Sequence, residues 1–441
     1  MSGIFTFNNF YLTIDSKFWN HIHHESFIRK TKLNRKNFLS ILFNRIKNRS
    51  YFPSSPIDYI SFNKHNKVLR LVPSFTIEDS CVYYYTVKSI EDFVAVNRVE
   101  GTYGGFRSGI LKNLENDELE NRLIESDYEG YYVFNKFTWS KEWKDFQKAL
   151  YTYIGERNYS HFLIFDIANF YDNINLNILE SKVRQVTEKQ FSRIIDLMFY
   201  FLKNWNRKLE WYFPKSVGLP QEETGQSSRI LSNFYLQEFD LVMFNYTKSF
   251  DQRYVRFADD MVIMSPDKDL LMGSLFEASK ELSKIGLNIN SSKVQVLSKF
   301  EFEEYWAFEL IENLKNHYLL GVDEFINWKK MRKNFRFESV LKLILNGDVK
   351  KLNLIQKNSL IQEILDEDFF QNANEYYILK LRDLIDNDTQ FYKHINSCIK
   401  KYRFNQFHYT IKNLILKKKI DETQIYDLDQ RIEELKLNLF S

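Results

Sequence analysis

The sequence is poor in residues that interrupt or cross-link a chain. Its 441 residues include only 6 prolines, 13 glycines and 2 cysteines. So few breakers predict long regular elements, chiefly helices. The two cysteines, Cys81 and Cys398, exclude a framework of several disulfides. They favour a reducing compartment, and we therefore expect a cytoplasmic protein.

Export and membrane signals are also missing from the sequence. No run of about 18 apolar residues is present, so no membrane span and no membrane partner are expected. Asn8, Asn9 and Asp15 interrupt any apolar core near the N terminus, which argues against a signal peptide. The net charge is only +3. Binding to nucleic acid would therefore depend on local basic patches and not on bulk charge.

Two adjacent acids occur between two apolar stretches, in Phe257-Ala258-Asp259-Asp260. This pattern predicts two strands joined by a tight turn, with carboxylates at its tip. Neighbouring carboxylates repel each other, and a hard divalent cation with oxygen ligands would compensate them. Most isolated Asp-Asp pairs are solvated turn residues, so the pair by itself does not establish a site.

A second apolar strand pattern, His161–Phe165, leads directly into Asp166, which lies 93 residues before Asp259. Any site shared by these acids must therefore be assembled by the fold. Acids that converge from separate strands can hold two metal ions about 3.5–4 Å apart, the arrangement used for nucleotidyl transfer.

Four motifs in this order resemble the palm of reverse transcriptases. They are Asp166 with Phe170-Tyr171-Asp172, then Gly218-Leu219-Pro220-Gln221 with Ser228-Arg229, then Phe257-Ala258-Asp259-Asp260, and finally Gly286-Leu287-Asn288 with Lys293. The motifs are similar to those of retron and group II intron enzymes. The string Ser228–Leu231 is similar to one in the abortive-infection and related unknown-group, defence-associated reverse transcriptases of bacteria. Glu222 departs from the pattern, because a glycine usually follows Pro-Gln.

The resemblance implies a role for each matched residue. The catalytic acids would be Asp166, Asp259 and Asp260, which together with the main-chain carbonyl of Ile167 would bind Mg²⁺, with Mn²⁺ as an alternative ion. The nucleotide-binding residues would be Arg70, Tyr171, Gln221 and Lys293. The template-binding residues would be Arg107, Gly218, Ser228 and Arg229.

Several of these roles have a plain structural alternative. Arg70, with Lys67 as second choice, would meet the triphosphate from a hairpin similar to that of the fingers, or would be a surface arginine. The glycine-dense segment before Arg107 would contact template or triphosphate, or would be an ordinary turn. Lys293 would give a proton to the leaving pyrophosphate, or would be a surface lysine. The ring of Tyr171 would exclude a 2′-hydroxyl, or would be a core residue.

The predicted fold is α+β, a right-hand polymerase with fingers and an antiparallel palm sheet with helices. We expect N-terminal helices and fingers over 1–160, the palm over 161–300, and an all-α thumb or stack of helical repeats over 301–441. Helical spacing over Phe335–Leu345 and later segments supports the last part. Within the palm, helices are predicted over Asn175–Leu202 and Ser227–Asn245.

The resulting hypothesis is an RNA-directed DNA polymerase in bacterial anti-phage defence. Its partners would be an RNA template, in particular a dedicated non-coding RNA, together with dNTPs and the DNA product. A homo-oligomer or a second defence protein is also a candidate partner. The alternatives are untemplated or protein-primed DNA synthesis, and a non-catalytic scaffold that binds nucleic acid.

Overall fold

The protein was analysed as a computed structural model, which describes residues 4–24, 33–63, 69–95, 98–113, 130–135, 137–156, 159–206, 218–221 and 226–440. The chain divides into two compact units. The first comprises Met1–Asp58 with Pro73–Ser298, and the second comprises Tyr59–Val72 with Lys299–Ser441. Lys67 and Glu222 lie outside the described residues.

Nine strands are present in the described residues. They are β1 Asp58–Asn63, β2 Leu69–Ser74, β3 Thr102–Tyr103, β4 Gly109–Asn113, β5 Gly130–Phe134, β6 His161–Asp166, β7 Arg253–Phe257, β8 Asp260–Ser265 and β9 Gln295–Ser298.

The helices of the first unit fill much of the chain between these strands. Within the described part they are α1 Phe7–Thr13, α2 Ser16–His24, α3 Arg35–Lys47, α4 Ile77–Ala95, α5 Thr138–Glu156, α6 Phe170–Asn173, α7 Leu176–Val186, α8 Ser192–Leu202, α9 Ser227–Tyr235, α10 Gln237–Ser249 and α11 Lys268–Lys284.

The main sheet of the first unit has five strands in the order β3-β7-β8-β6-β9. All neighbouring pairs are antiparallel except β3 with β7, which is parallel. The central strands β6 and β8 are almost entirely buried, which explains their continuous apolar sequences. Strands β4 and β5 form a separate antiparallel hairpin. The α+β prediction with a mainly antiparallel sheet is confirmed.

Helix α4 runs through the core of the first unit. It packs against α8 and α9 and buries most of its length, including three consecutive tyrosines, Tyr83, Tyr84 and Tyr85. The ring of Tyr84 stacks on Phe18, and that of Tyr83 stacks on Phe201. Aromatic residues thus supply a large share of this core, where each buries extensive apolar surface.

Two helices predicted as continuous are broken. The segment Asn175–Leu202 contains α7 and α8, because Thr187 takes an extended conformation and ends α7. A short 3₁₀ turn, Lys189–Phe191, then leads into α8. The segment predicted as Ser227–Asn245 contains α9 and α10, which meet at Leu236 and together continue to Ser249.

The second unit is a stack of helices that also includes one hairpin. Its helices in the described residues are α12 Lys299–Trp306, α13 Phe308–Asn316, α14 Tyr318–Lys330, α15 Phe337–Asn346, α16 Leu354–Ile364, α17 Glu367–Phe370, α18 Glu375–Ile385, α19 Asp388–Lys401, α20 Asn405–Leu416 and α21 Leu428–Phe440. Most of these helices pack against the next helix or the next but one, as in repeat proteins. The helical C-terminal part was therefore predicted correctly, whereas the three-part division of the chain stays a prediction.

Strand β1 is held within this second unit by asparagine side chains. Asn405 Oδ1 accepts hydrogen bonds from the backbone N–H and the hydroxyl of Ser61, and its Nδ2 donates to the carbonyl of Tyr59 at 2.9 Å. Two residues further on, Asn372 accepts from the N–H of Asn63 at 2.9 Å. These amides therefore replace the strand that would otherwise pair with this edge of β1.

Among the helices in the described residues, none is both long enough and apolar enough to cross a bilayer.

Candidate metal centre

The sheet register brings the three predicted acids together. Asp166, the last residue of β6, lies directly opposite Asp260, the first residue of β8. Phe257 also pairs with Asp260 across the β7–β8 hairpin, so that Ala258 and Asp259 form its two-residue turn. Residues directly opposite in an antiparallel pair have Cα atoms about 4.5–5.5 Å apart. The fold therefore places these carboxylates in one small region.

Burial and the neighbouring acids raise the pKa of Asp259. The pKa of Asp259 is raised to about 6, first by burial and then by the negative charges of Asp260 and Asp166, while Lys293 and a backbone N–H act in the opposite direction. In the protein alone the acids are therefore poorly compensated. A divalent cation would remove this repulsion.

Asp166 has one oxygen paired and one available. Its side chain is nearly buried, and Oδ2 forms an ion pair with Lys293 Nζ at 2.5 Å. Its Oδ1 is buried and accepts no hydrogen bond from any residue that the structure describes. A buried carboxylate oxygen without a partner is costly, so this atom fits a cation ligand.

The same region contains no ready-made metal cage. Within the described ranges, no group of three His, Cys, Asp or Glu side chains is arranged to enclose an ion. This fits a cation that is held by one or two carboxylates and completes its shell with waters and substrate phosphates.

A buried network of charged and polar side chains stabilises the β7–β8 turn. Arg256 is fully buried and binds both carboxylate oxygens of Asp240, through Nε at 2.7 Å and through Nη2. Its Nη1 donates to Asn233 Oδ1 at 2.8 Å and to the carbonyl of Ala258 at 2.7 Å. Ala258 has a φ of 53°, in the left-handed region that costs a residue with a Cβ about 1 kcal/mol or more. Arg256 therefore fixes the strained residue directly before Asp259.

The glycine-dense segment lies against the same turn. The N–H of Ala258 donates to the carbonyl of Tyr103 at 3.2 Å. Gly104 has a φ of +120°, and a Cβ there would lie 2.7 Å from the Ala258 nitrogen. A Cβ on Gly105 would lie 2.4 Å from Arg229 Cδ. These glycines are thus required for close packing of backbone and side chain behind the acids.

The Gly218-Leu219 motif is brought to the end of β6 by a backbone contact. The N–H of Leu219 donates to the carbonyl of Tyr171 at 2.9 Å. A Cβ on Gly218 would lie 1.9 Å from that same oxygen, so only glycine fits. Tyr171 is half-buried and packs on the core. Gln221, two residues after Leu219, is also half-buried. The first and second palm-like motifs are therefore joined at Tyr171.

The other predicted site residues have varied surroundings. Ser228 is buried, with its hydroxyl 2.8 Å from that of Tyr83. Arg229 is half-buried, and its guanidinium lies 5.9 Å from the centre of the Trp139 ring. Arg107 forms an ion pair with Asp92 at 2.5 Å.

Arg70 differs from the other predicted residues in its place in the fold. It is exposed on β2 and belongs to the second unit, not to the unit that holds the acids.

Sequence reasoning missed Arg256, Asp240 and Asn233. The available signal was Arg256 itself, a charged residue between the apolar Val255 and Phe257 in the interior of a strand. A buried charge of this kind requires a partner.

Comparison with known proteins gives a family for this arrangement. The family described as "Reverse transcriptase (RNA-dependent DNA polymerase)" matches residues 64–323, which is more than half of the chain and includes all three acids. The chain belongs to the reverse transcriptase family. The resemblance noted from the four motifs is thereby confirmed at the level of the family.

Individual proteins are only distantly similar to this reverse transcriptase chain. Telomerase from Candida albicans, in complex with a fragment of telomeric RNA, has 13% identity and a TM-score of 0.36, over 89% of this chain and 63% of that one. Apo telomerase from Candida tropicalis has 12% identity and a TM-score of 0.36, over 92% and 71%.

One curated protein is similar over a short stretch. ATP synthase subunit delta of Mycoplasma mobile is 27% identical over 117 residues, which are 26% of this chain. The chain spans 64% of that protein's length and 63% of the Candida albicans telomerase chain.

Proposed function

We propose that this chain is an RNA-directed DNA polymerase that joins dNTPs to a growing DNA strand. The observation that carries the proposal is the register of Asp166 against Asp260, beside the Asp259 turn, with a buried Asp166 oxygen that accepts no hydrogen bond from the described residues. Membership of the reverse transcriptase family supports the same chemistry.

The proposed cofactor is Mg²⁺, with Mn²⁺ as an alternative. Asp166, Asp259 and Asp260, with the main-chain carbonyl of Ile167, are the residues that would hold it. Bound ions of this kind lower the pKa of an attacking hydroxyl and neutralise charge at the reacting phosphate. The side chains of the protein supply the remaining functions by binding and orienting the substrates.

Lys293 is proposed to act at the triphosphate. Although partial burial opposes it, the ion pair with Asp166 raises the pKa of Lys293, so its ammonium group stays protonated at neutral pH. In the substrate complex it would turn from Asp166 to the phosphates and supply a proton to the pyrophosphate. Gln221 and Arg70 are proposed to contact the nucleotide, and Arg107, Gly218, Ser228 and Arg229 the template.

The proposed biological role is bacterial anti-phage defence, in the cytoplasm, with a dedicated non-coding RNA as template. Two features support it: the Ser228–Leu231 string similar to that of defence-associated enzymes, and the helical stack over Lys299–Ser441. A homo-oligomer or a second defence protein is proposed as a further partner. Cys81 and Cys398 form no disulfide with any residue that the structure describes, which is compatible with a reducing compartment.

The test is to sequence the nucleic acids that co-purify with the protein from its host. DNA complementary to a bound RNA is the expected result. Random or homopolymeric DNA attached to a tyrosine would instead establish untemplated, protein-primed synthesis. The control is the Asp259→Ala, Asp260→Ala double variant, which we expect to retain RNA but to contain no new DNA. Unchanged DNA synthesis by that variant would overturn the assignment of the acids.

The defence role has a separate test in living cells. Cells that carry the chain with its native neighbouring genes should reduce phage plating efficiency. Cells that carry the double acid variant should not. Equal plating on both strains would contradict a defence role that depends on polymerisation.

A further inference from the structure

Helix α5 has one strongly basic face. Lys141, Lys144 and Lys148 are exposed, and none of them forms an ion pair or hydrogen bond with any residue that the structure describes. Successive residues of a helix are rotated by about 100°, so these lysines and Tyr151 fall within an arc of about 80°. We call this set, Lys141, Lys144, Lys148 and Tyr151, the α5 stripe.

The stripe differs from three other exposed lysines of the same unit. Lys203, Lys280 and Lys284 each pair with a glutamate at 2.6 Å, so their charges are compensated locally. Asp145 borders the stripe but pairs with none of its lysines, and Glu142 on the flank is paired with Arg98. The stripe therefore keeps a net positive charge in a chain whose total is only +3.

Aromatic side chains accompany these charges. Tyr151, at the C-terminal end of the stripe, is 55% exposed, and Phe137, just before α5 begins, is 60% exposed. Exposed rings beside a row of cations are the combination that binds single-stranded nucleic acid, because phosphates meet the cations and bases stack on the rings. A duplex would leave the rings without a base to stack on.

The opposite face of α5 packs against the strand that leads to the catalytic acids. The ring of Trp143 meets that of Phe257 edge-on at 4.8 Å, and Phe146 lies 5.7 Å from the same ring. Phe257 is two residues before Asp259. The stripe is thus carried by a helix that is fixed rigidly to the metal centre.

We propose that the α5 stripe is a binding track for single-stranded RNA. From Lys141 to Tyr151 it extends about 15 Å, at 1.5 Å per residue. This length suits a short single-stranded segment of a few nucleotides. The choice of RNA as the ligand rests on the proposed function, whereas the recognition of a phosphate backbone by the stripe does not.

The test measures binding of a labelled oligouridine to the full chain at several salt concentrations. The Asp259→Ala, Asp260→Ala background is used, so that the result does not depend on polymerisation. Changing Lys141, Lys144 and Lys148 together to Gln should weaken binding. The slope of log K against log salt should become shallower by about 2, as expected for three lost phosphate contacts with a single strand.

The matched control changes three paired lysines, Lys203, Lys280 and Lys284, to Gln. This variant loses the same formal charge and should keep the slope of the parent. Equal losses in both variants would show that only bulk charge matters and would overturn the proposal, as would an unchanged slope in the stripe variant. Thermal melting of both variants checks that the fold is intact.

Two further measurements separate the contribution of the Tyr151 ring from that of the lysine charges, and binding of a single strand from binding of a duplex. Tyr151→Ala should weaken oligouridine binding without changing the salt slope, while Tyr151→Phe should bind like the parent, because stacking needs only the ring. A slope change with a DNA duplex but none with oligouridine would contradict the assignment to single strands.

Discussion

Arg256 illustrates at the scale of one residue how a buried group prepares a site that it does not touch. Its guanidinium holds Asp240, Asn233 and the carbonyl of Ala258. We expect Arg256→Met to lower the free energy of unfolding by about 3–5 kcal/mol, because Asp240 is left buried without its partner. Polymerase activity should also be lost, since the carbonyl of Ala258, directly before Asp259, then loses its hydrogen bond from Arg256.

A double variant separates these two effects. Replacing both charges, with Asp240→Leu and Arg256→Met, should restore much of the stability, because an apolar pair of similar volume is often as stable as a buried ion pair. The dNTP turnover number and the Mg²⁺ requirement should stay impaired. Recovery of full turnover with stability would show that Arg256 acts only through folding.

The raised pKa of Asp259 predicts that the stability of the metal-free protein depends on pH. Its carboxyl has a pKa of about 6 in the folded protein against 3.8 ordinarily, so the fold favours the protonated acid. That contribution to stability is complete below the ordinary value and is lost as pH rises through about 6. Asp259→Asn should therefore raise the melting temperature of the metal-free protein at pH 7 and have little effect at pH 4.

The measurement is thermal melting in EDTA from pH 4 to pH 8, parent against variant. Added Mg²⁺ should stabilise the parent at pH 7 and stabilise the variant less. If the variant melts at or below the melting temperature of the parent at pH 7, the ionised Asp259 carboxylate does not destabilise the metal-free protein and the prediction is wrong.

Tyr171 is proposed to set the sugar selectivity of nucleotide incorporation. In that role its ring would leave no room for a 2′-hydroxyl, the group by which a site distinguishes RNA from DNA components. Tyr171→Ala should admit ribonucleotides, which primer extension with rNTPs would detect, and Tyr171→Phe should not. Unchanged sugar selectivity in the alanine variant would contradict the role. The half-buried ring then serves only the core.

At the scale of the element, apolar patterns in the sequence predicted the strands β6, β7 and β8. The same patterns predicted that the acids lie at the ends of these strands. Pattern reasoning failed where a single residue decides the backbone. Thr187 ends α7 and Leu236 divides two helices, although the helical spacing continues through both. It also could not find the partners of Arg256, because Asp240 and Asn233 come from helices that only the tertiary fold places behind β7.

Side chains close one edge of strand β1, and this predicts how fast its backbone amides exchange hydrogen. Asn405 and Asn372 accept the N–H groups of Ser61 and Asn63 in place of a neighbouring strand. We expect Asn405→Ala to speed amide hydrogen exchange at Ser61, and Asn372→Ala to do so at Asn63. Each change leaves a buried donor without its acceptor, at a cost of about 1–3 kcal/mol.

A half-buried asparagine of the same unit provides the control for strand β1. Asn396 donates to the carbonyl of Gln424 far from β1 in sequence. Asn396→Ala should leave exchange at Ser61 and Asn63 unchanged. If all three variants behave alike, the protection of β1 does not come from the two amides.

The two units of the whole molecule are not two consecutive pieces of the chain. The second unit takes Tyr59–Val72 from the N-terminal half and adds it to Lys299–Ser441. No sequence pattern indicated this, because β1 and its asparagine partners are more than 300 residues apart. Contacts of such long range are specified only by the assembled fold, and they form late and slowly in folding.

This interleaving predicts that the backbone can be cut between the units without separating them. A specific protease site inserted between Ser298 and Lys299 should yield, after cleavage of the folded protein, two fragments that elute together in gel filtration. Tyr59, Ile60 and Ser61 of the N-terminal fragment are buried in the unit to which the C-terminal fragment belongs. Combining the cut with Asn405→Ala and Asn372→Ala should weaken the association, because β1 then loses its edge partners. Fragments that separate at once after the single cut would show that the hairpin does not hold the two pieces of chain together.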